Sequence, residues 1–600
     1  MQPTDIRNPD YFHKVVDCQW ACPAHTPVPE YIRLIAAGRY SDAYMVNWRS
    51  NVFPGILGRT CDRPCEPACR RGRVEEEQAE RPEPVAICRL KRVAADYKDD
   101  VTPRMPTPPQ TRNGKRVACV GAGPASLTVA RDLARIGYEV VVFDPEKKAG
   151  GAIRTQIPKF RLPETVIDEE MDYVLNLGVA FERGKRIDSL RELMAGGWDA
   201  IFVGSGAPRG RELDIPGRQE AGAHIHIGIE WLANVAFGHV TKVGKRVIVL
   251  GGGNTAMDCC RSSLRMGGED VKVIVRSGFE EMKASPWEKE DAIHEGVEIL
   301  NFLTPKRFLH EGGKLTGMEF EKVRAEYDAK GRRSLIPTGE PDLVVPCDEV
   351  LVAVGQENAF PWIERDIGME FDKWDMPVLD PVTFQSTIPN VFFGGDAAFG
   401  PKNIITAVAH GHDAAISIDL TLNGKDVNKR PPPGWSMVSQ KMGIHEWTYD
   451  NAISPVARLK VPTLDNARAL SAMTLEVELG YDEKKAFDEA QRCLNCDVET
   501  IFAPPLCIEC DACVDICPMD CITFTANGDE AELRKRLKAP ATNPDQDLYV
   551  AGGLKTGRVM VKDEDVCLHC GLCAERCPTG AWDMQKFFLN LPKAGQSCRS

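Results

Sequence analysis

The residues whose type and spacing carry chemistry are cysteines. The stretch CIECDACVDICP places Cys507, Cys510, Cys513 and Cys517 ahead of Pro518. CLHCGLCAERCP places Cys567, Cys570, Cys573 and Cys577 ahead of Pro578. Thiolates are soft donors that suit iron, and short gaps let one loop wrap a cube of iron and sulfide. Zinc sites usually use paired C-x2-C knuckles, not four cysteines closed by proline. A further C-x2-C, Cys493 and Cys496 in QRCLNC, stands ahead of these runs with no second pair beside it. Five more cysteines lie near the N-terminus: Cys18 and Cys22 in DCQWACP, and Cys61, Cys65 and Cys69 in CDRPCEPAC.

Both C-terminal runs have the C-x2-C-x2-C-x3-C-P order of bacterial ferredoxins, whose fourth cysteine ligates the other cluster. That rule assigns Cys507, Cys510, Cys513 and Cys577 to one 4Fe–4S cluster. It assigns Cys567, Cys570, Cys573 and Cys517 to a second. Cys521, in CPMDC, lies outside the pattern and reads as a buried small side chain.

Two glycine-rich turns define the next layer. KRVACVGAGPASLTVARDLARIGYEVVVFD reads strand, turn, helix, strand. Gly121 and Gly123 allow a tight turn and the close approach of a pyrophosphate to the helix that Pro124 opens. Ser126 replaces the third glycine, and Asp144 ends the second strand where an acid can hold a ribose hydroxyl. KRVIVLGGGNTAMDCCRSSLRMGGEDVKVIVR repeats the unit, with Gly251, Gly253 and Ala256 at the fingerprint positions. Two such units in one chain point to a flavin enzyme that reads a nicotinamide nucleotide. Cys259 and Cys260 are adjacent on the second unit's helix, so they point about 100° apart and read as packing.

GGAIRTQIPKFRLPETVID, together with IVLGGGNTAMD, resembles the small subunit of NADPH-dependent glutamate synthase and its relatives, over about residues 10 to 430. STIPNVFFGGDAAFGPKNIITAVAHGHDAA resembles the second FAD motif of such flavoenzymes. The resemblance implies FAD contacts from Gly121, Gly123, Pro124, Ser126, Asp144, Gly151, Arg161, Gly395, Asp396, Ile405 and Thr406. It implies NAD(P) contacts from Gly251, Gly253, Asn254, Thr255, Arg276 and Gly355. Members that use NADPH carry several arginines after the second strand of the inserted domain. Here Arg276 is followed by Ser277 and Phe279, which favours NAD(H) over NADP(H).

The family's N-terminal helical domain holds two 4Fe–4S clusters and usually begins with an R-C-x2-C. That element is missing here and stands instead at RCLNC. By resemblance, Cys18, Cys69, Cys493 and Cys496 hold one cluster. Cys22, Cys61 and Cys65 hold another, with the fourth ligand open: Cys88, within PVAICRLKR, or none. The competing reading is one N-terminal cluster with Cys493 and Cys496 idle.

The elements that position these groups form a multidomain α/β chain. A helical iron–sulfur domain is expected over 1–105, and an FAD-binding Rossmann-like domain over 106–215 and 350–430. An NAD(P)-binding Rossmann-like domain is inserted over 216–349. A linker over 431–500 carries the Cys493/Cys496 pair, and a ferredoxin-like α+β domain covers 501–600. The chain's 600 residues, 43% of them hydrophobic, suffice for several cores. A net charge of −13 argues against nucleic acid or an anionic membrane as partner. The first residues have no signal-type apolar core, and no run of about 18 apolar residues occurs. Of the 22 cysteines, six precede residue 90 and twelve follow residue 492, clustering that favours metal ligation in the reducing cytoplasm over disulfides.

Hydride chemistry at FAD and single electrons at the clusters make an NAD(P)H-dependent oxidoreductase. No thiamine site, catalytic triad or glutaminase nucleophile is visible, so the chain reads as a component of a larger complex. The first expectation is the FAD and iron–sulfur subunit of a 2-oxoacid:acceptor oxidoreductase, such as phenylglyoxylate dehydrogenase, beside a thiamine-diphosphate-dependent partner. Three alternatives stand beside it. They are a ferredoxin:NAD(P) oxidoreductase or bifurcating subunit working with ferredoxin-like carriers, a glutamate synthase small subunit, and a non-catalytic electron relay.

Overall fold

The apolar run Arg116–Val120 becomes the central strand of a five-stranded parallel sheet. Its order is Val391–Phe393, Ala200–Val203, Arg116–Val120, Glu139–Asp144, Ala180–Arg183. Parallel strands covered on both faces read as continuous apolar runs, and here the four residues from Val117 to Val120 are all buried. The helix Pro124–Ala134 follows the glycine turn and packs on the 19-residue helix Ile404–Leu422. Gly411 makes that approach possible: a Cβ there would lie 2.6 Å from Thr128 Cβ and 2.7 Å from the Ala125 carbonyl oxygen.

This is a computed structural model, and it describes residues 1–74, 81–439, 454–526, 530–537, 543 and 545–596. Cys598 lies outside them. The chain forms two compact units. One comprises 106–428 and 462–479; the other comprises 1–105, 429–461 and 480–600.

The first of these contains both Rossmann-like sheets. The second sheet is also parallel, ordered Ile225–Ile227, Glu349–Val352, Arg246–Leu250, Asp270–Ile274, Glu298–Leu300. The strand Glu349–Val352 therefore belongs to the inserted domain, pairing with Arg246–Leu250, and the return to the flavin sheet comes after it rather than at 350. A short apolar strand fits either parallel sheet, so its letters do not reveal which. An antiparallel sheet of Leu303–Glu311, Lys314–Tyr327, Arg333–Pro337 and Leu343–Pro346 completes the insertion.

The other unit contains the cysteine-rich segments. Helices Val28–Ala36, Tyr40–Asn51, Pro54–Thr60 and Ile87–Asp96 pack together, and the helix Glu483–Ala490 joins them against Val28–Ala36 and Ile87–Asp96. The expected linker over 431–500 is thus divided. Residues 462–479 belong to the dinucleotide unit, where Val477 N–H donates to the Phe160 carbonyl at 2.9 Å. Its remaining parts belong to the cysteine-rich unit. Gly434–Ser439 and Val498–Phe502 flank the long strand Trp582–Asn590 in one antiparallel sheet. Ile522–Thr525, Val559–Lys562 and Tyr549–Val550 form another. Among the described residues no helix is long and apolar enough to cross a membrane.

Candidate iron–sulfur and dinucleotide sites

Cys18, Cys69, Cys493 and Cys496 line a single cavity. Its walls also include Asp17, Val28, Ile32, Arg70, Val85 and Ile87. Burial pushes the Cys18 thiol up, and the neighbouring Cys69, Cys496 and Cys493 add to the shift. Cys493 is pushed up to about 12, again by burial first. Cys18 is buried and the other three are half-buried, and four thiols facing one such space are costly as free thiolates. They match the donor set that a cluster requires.

The late pair is brought there by a buried polar anchor. Arg492 and Glu489 form an ion pair of 2.7 Å with both side chains fully buried. Arg492 also donates to the carbonyls of Glu83, Pro84 and Val456 at 2.8, 3.1 and 3.0 Å. Arg33 adds a second tie, donating to both carboxylate oxygens of Asp497 at 2.7 and 2.6 Å. Sequence reasoning missed these groups, apart from the arginine in R-C-x2-C, because charged letters read as surface.

Cys22, Cys61, Cys65 and Cys88 are all buried. The neighbouring thiols of Cys61 and Cys65 hold that of Cys88 well below the usual thiol range. Lys91 follows on the same helix and is buried. Burial works against its charge, but Cys88, Cys61, Cys65 and Cys22 outweigh burial and raise its pKa. Of the open choices for the fourth position, Cys88 is the thiol that the fold places beside Cys61 and Cys65, and all four act on Lys91.

In the ferredoxin-like region Cys507, Cys510, Cys513 and Cys577 line one pocket with Phe502, Ile508, Phe524 and Trp582. Cys573 is pushed up by burial and by the nearby Cys567, Cys570 and Cys517, which groups the second set. Thus each run's fourth cysteine sits with the other run's first three. Cys521 is buried, and its sulfur lies 3.4 Å from that of Cys517. Cys510 is exposed, between Leu506 and Ile508 on one side and Ile516 on the other, all three also exposed.

The first glycine turn fits a dinucleotide. Gly121 has φ +92°, and a Cβ there would lie 2.6 Å from the Gly204 carbonyl oxygen. Gly123 precedes the helix Pro124–Ala134, and a Cβ on Gly151 would come within 3.1 Å of Gly123 Cα. Ser126 is fully buried against Gly204. Asp144 accepts from the Ala122 and Glu146 N–H groups at 2.6 and 2.8 Å, which fixes the turn and leaves lone pairs for a ribose. Gly395 has φ +62° and precedes Asp396, whose carboxylate accepts from Lys402 N–H at 2.9 Å. Asn403 caps the helix Ile404–Leu422, accepting from Thr406 N–H at 3.0 Å, and Ile405 is buried in its first turn. His410 packs against Phe384 and Phe399, and His412 Nδ1 lies 2.5 Å from Asp132.

Arg161 stands elsewhere than expected. Its guanidinium donates to Asp258 at 2.6 Å and also to Glu288, both acids of the inserted domain. Those carboxylates compete for it, where a flavin contact was expected.

The second turn repeats the steric logic. Gly251 has φ +133°, and a Cβ would lie 2.2 Å from the Ala353 carbonyl oxygen. Gly253 precedes the helix Asn254–Arg265, Asn254 accepts from Ser285 N–H at 2.9 Å, and Thr255 stands in its first turn. Gly355, at φ +130°, accepts from Arg211 N–H at 3.0 Å. Arg276 is exposed beyond the strand Asp270–Ile274, with no ion-pair or hydrogen-bond partner among the described residues. Cys259 and Cys260 are fully buried in packing, as are Cys119 and Cys347.

Comparison with known proteins places these features together. A family model described as pyridine nucleotide-disulphide oxidoreductase matches residues 115–411. One described as dihydropyrimidine dehydrogenase domain II, 4Fe–4S cluster, matches residues 13–102. A 4Fe–4S dicluster domain model matches residues 506–581. The beta subunit of an NADP(+)-dependent formate dehydrogenase from Moorella thermoacetica is 32% identical over 80% of this chain and 70% of its own. The beta subunit of an NADPH-Fe(3+) oxidoreductase from Geobacter sulfurreducens is 32% identical over 82% of this chain and 77% of its own. The small chain of Escherichia coli glutamate synthase [NADPH] is 31% identical over 67% of this chain and 87% of its own.

Proposed function

The chain belongs to the glutamate synthase small subunit-like FAD- and NAD(P)H-dependent oxidoreductases with 4Fe–4S domains at both ends, and on that premise we propose that it exchanges electrons between a nicotinamide nucleotide and a partner oxidoreductase. FAD, when bound, takes a hydride's two electrons and releases them singly, and each cluster carries one electron.

The chain's own residues supply binding and orientation. Gly121 and Gly123 bring a pyrophosphate to the N-terminus of the helix Pro124–Ala134, whose positive end favours it. Asp144 takes the ribose, and Asp396 the ribityl or phosphate region. The N-terminus of the helix Ile404–Leu422 would favour negative charge on a bound flavin by its dipole. Gly251 and Gly253 do the same for the nicotinamide nucleotide's pyrophosphate. All three of these relatives carry NADP(+) or NADPH in their names, which gives the expected preference for NAD(H) no support; Arg276 is the cation that would meet a 2′-phosphate.

The observation that carries this reading is the convergence of Cys18, Cys69, Cys493 and Cys496 around one cavity. It supports a count of four clusters, with Cys22, Cys61, Cys65 and Cys88 as a further set. A reducing, cytoplasmic setting belongs to the same reading, because ligand thiols must stay reduced until iron enters.

The fused ferredoxin domain favours a 2-oxoacid:acceptor oxidoreductase as partner, with thiamine diphosphate in its catalytic subunit. The relatives' names favour a second reading, in which the partner oxidises formate or reduces ferric iron. The purified chain, loaded with FAD and iron, is expected to reduce a one-electron dye with NADPH or NADH. No reduction by a fully loaded chain overturns the enzymatic reading. Copurification of a thiamine-diphosphate protein favours the first partner; copurification of a formate-oxidising or ferric-reducing subunit favours the second.

A further inference from the structure

Arg70 follows Cys69 in the chain and is 1% exposed. It lines the cavity of the Cys18, Cys69, Cys493 and Cys496 set. Its Nε donates to Asp17 Oδ2 at 2.6 Å, and Asp17 immediately precedes Cys18. Its Nη1 donates to the carbonyl of Cys567 at 2.6 Å and to that of Glu564. The same nitrogen lies 3.2 Å from His569 Nε2. One side chain thus reaches residues of two separate cysteine sets.

Its remaining nitrogen, Nη2, is buried with no hydrogen-bond partner among the described residues. Native proteins rarely leave such a donor alone, and an unplaced ion or group is a common reason. In a cavity walled by four thiols, the matching acceptor is the sulfur of an iron–sulfur cluster. Hydrogen bonds to sulfur and local net charge are levers that set a cluster's potential. The planar guanidinium, with five donors in a fixed fork, can serve Asp17, the Cys567 loop and the cavity at once.

We propose that Arg70 is a positioning residue shared by two iron–sulfur sites, holding the Cys567 loop beside the Cys18, Cys69, Cys493 and Cys496 set and favouring the reduced form at both. The inference rests on the reading that these thiols hold clusters. It orders the sites: the Cys567 set neighbours the N-terminal one, which leaves the Cys507 set, with its exposed Cys510, on the outer side.

The test is an EPR-monitored redox titration of the full-length holoprotein, with iron content measured alongside. Arg70→Gln is expected to keep the wild-type iron and to move two midpoint potentials lower, leaving the other two in place. Arg70→Lys, which keeps the charge, is expected to recover part of that shift. Asp17→Asn is expected to raise the potential of the site that Cys493→Ser removes. With iron complete, unmoved potentials, a shift at one site alone, or an equal shift at all four overturns the proposal. Should Arg70→Gln lose iron, Asp17→Asn decides, and no rise there overturns it. Absence from the wild type of any signal lost in Cys493→Ser is a different result, and it breaks the underlying cluster reading.

Discussion

Glu489 accepts a hydrogen bond from the N–H of Ala86, 403 residues away, at 2.8 Å, while its buried neighbour Arg492 pairs with it at 2.7 Å. The other carboxylate oxygen accepts from Leu459 N–H at 2.9 Å. The pair therefore stitches the segment before Cys493 to the chain just before the helix Ile87–Asp96. Breaking a buried ion pair by removing one partner leaves an uncompensated charge, at a cost of about 3–5 kcal/mol. Arg492→Met is expected to lower stability by about that amount in denaturant unfolding. It is also expected to reduce the iron held with Cys18 and Cys69.

Cys88 is expected to complete the set with Cys22, Cys61 and Cys65. Cys88→Ser should lower iron by up to about four atoms per chain, the content of one cubane. The ferredoxin-like signals should persist. Unchanged iron and unchanged EPR spectra would assign the fourth position to another group or to none.

The two glycine turns separate the cofactors. Gly121→Ala puts a Cβ 2.6 Å from the Gly204 carbonyl at φ +92°, so the purified variant should lack flavin absorbance. Gly251→Ala puts one 2.2 Å from the Ala353 carbonyl at φ +133°. That variant should keep its flavin and lose oxidation of the nicotinamide nucleotide. Loss of flavin in both variants, or in neither, would contradict the assignment of one nucleotide to each turn.

Arg276 tests the choice of nucleotide. A charged hydrogen bond contributes about 1.5–3 kcal/mol, or roughly ten- to a hundredfold in affinity. Arg276→Ala should raise the KM for NADPH by a factor of that order and leave NADH unchanged if the side chain meets a 2′-phosphate. Equal effects on both nucleotides would place it over the adenine instead.

His410 gives a pH dependence. Burial lowers its pKa to about 4, from an ordinary 6.5, so the folded protein keeps the ring neutral between Phe384 and Phe399. The unfolded chain takes up the proton first. Stability contributed by the neutral ring is therefore whole above pH 6.5 and is lost as pH falls toward 4. His410→Phe should flatten that part of the stability curve in thermal unfolding.

Much of the site is legible in the letters because its chemistry is local. Cys507 to Cys517 and Cys567 to Cys577 declare themselves by spacing, and the turns at Gly121 and Gly251 by the strands and helices around them. The return of Cys493 and Cys496 to Cys18 and Cys69 was legible only as a gap in one motif and a surplus elsewhere. Arg70, Glu489 and the partners of Arg492 were not legible, since a buried charge differs from a surface one only through partners hundreds of residues away. The strand Glu349–Val352 was assigned to the wrong sheet for a related reason: a short apolar run carries no label for its neighbours. Arg161 shows the same limit, because the acids that hold it lie in another domain's sequence.

In the proposed arrangement a cysteine pair near residue 500 completes a cluster begun near residue 20. Iron content and EPR of Cys493→Ser test it most directly. About sixteen irons per chain are expected in the wild type, four for each of four clusters. The variant should lose about four of these irons and one EPR signal, with both ferredoxin-like signals unchanged. Full iron and an unaltered spectrum in Cys493→Ser would contradict the account.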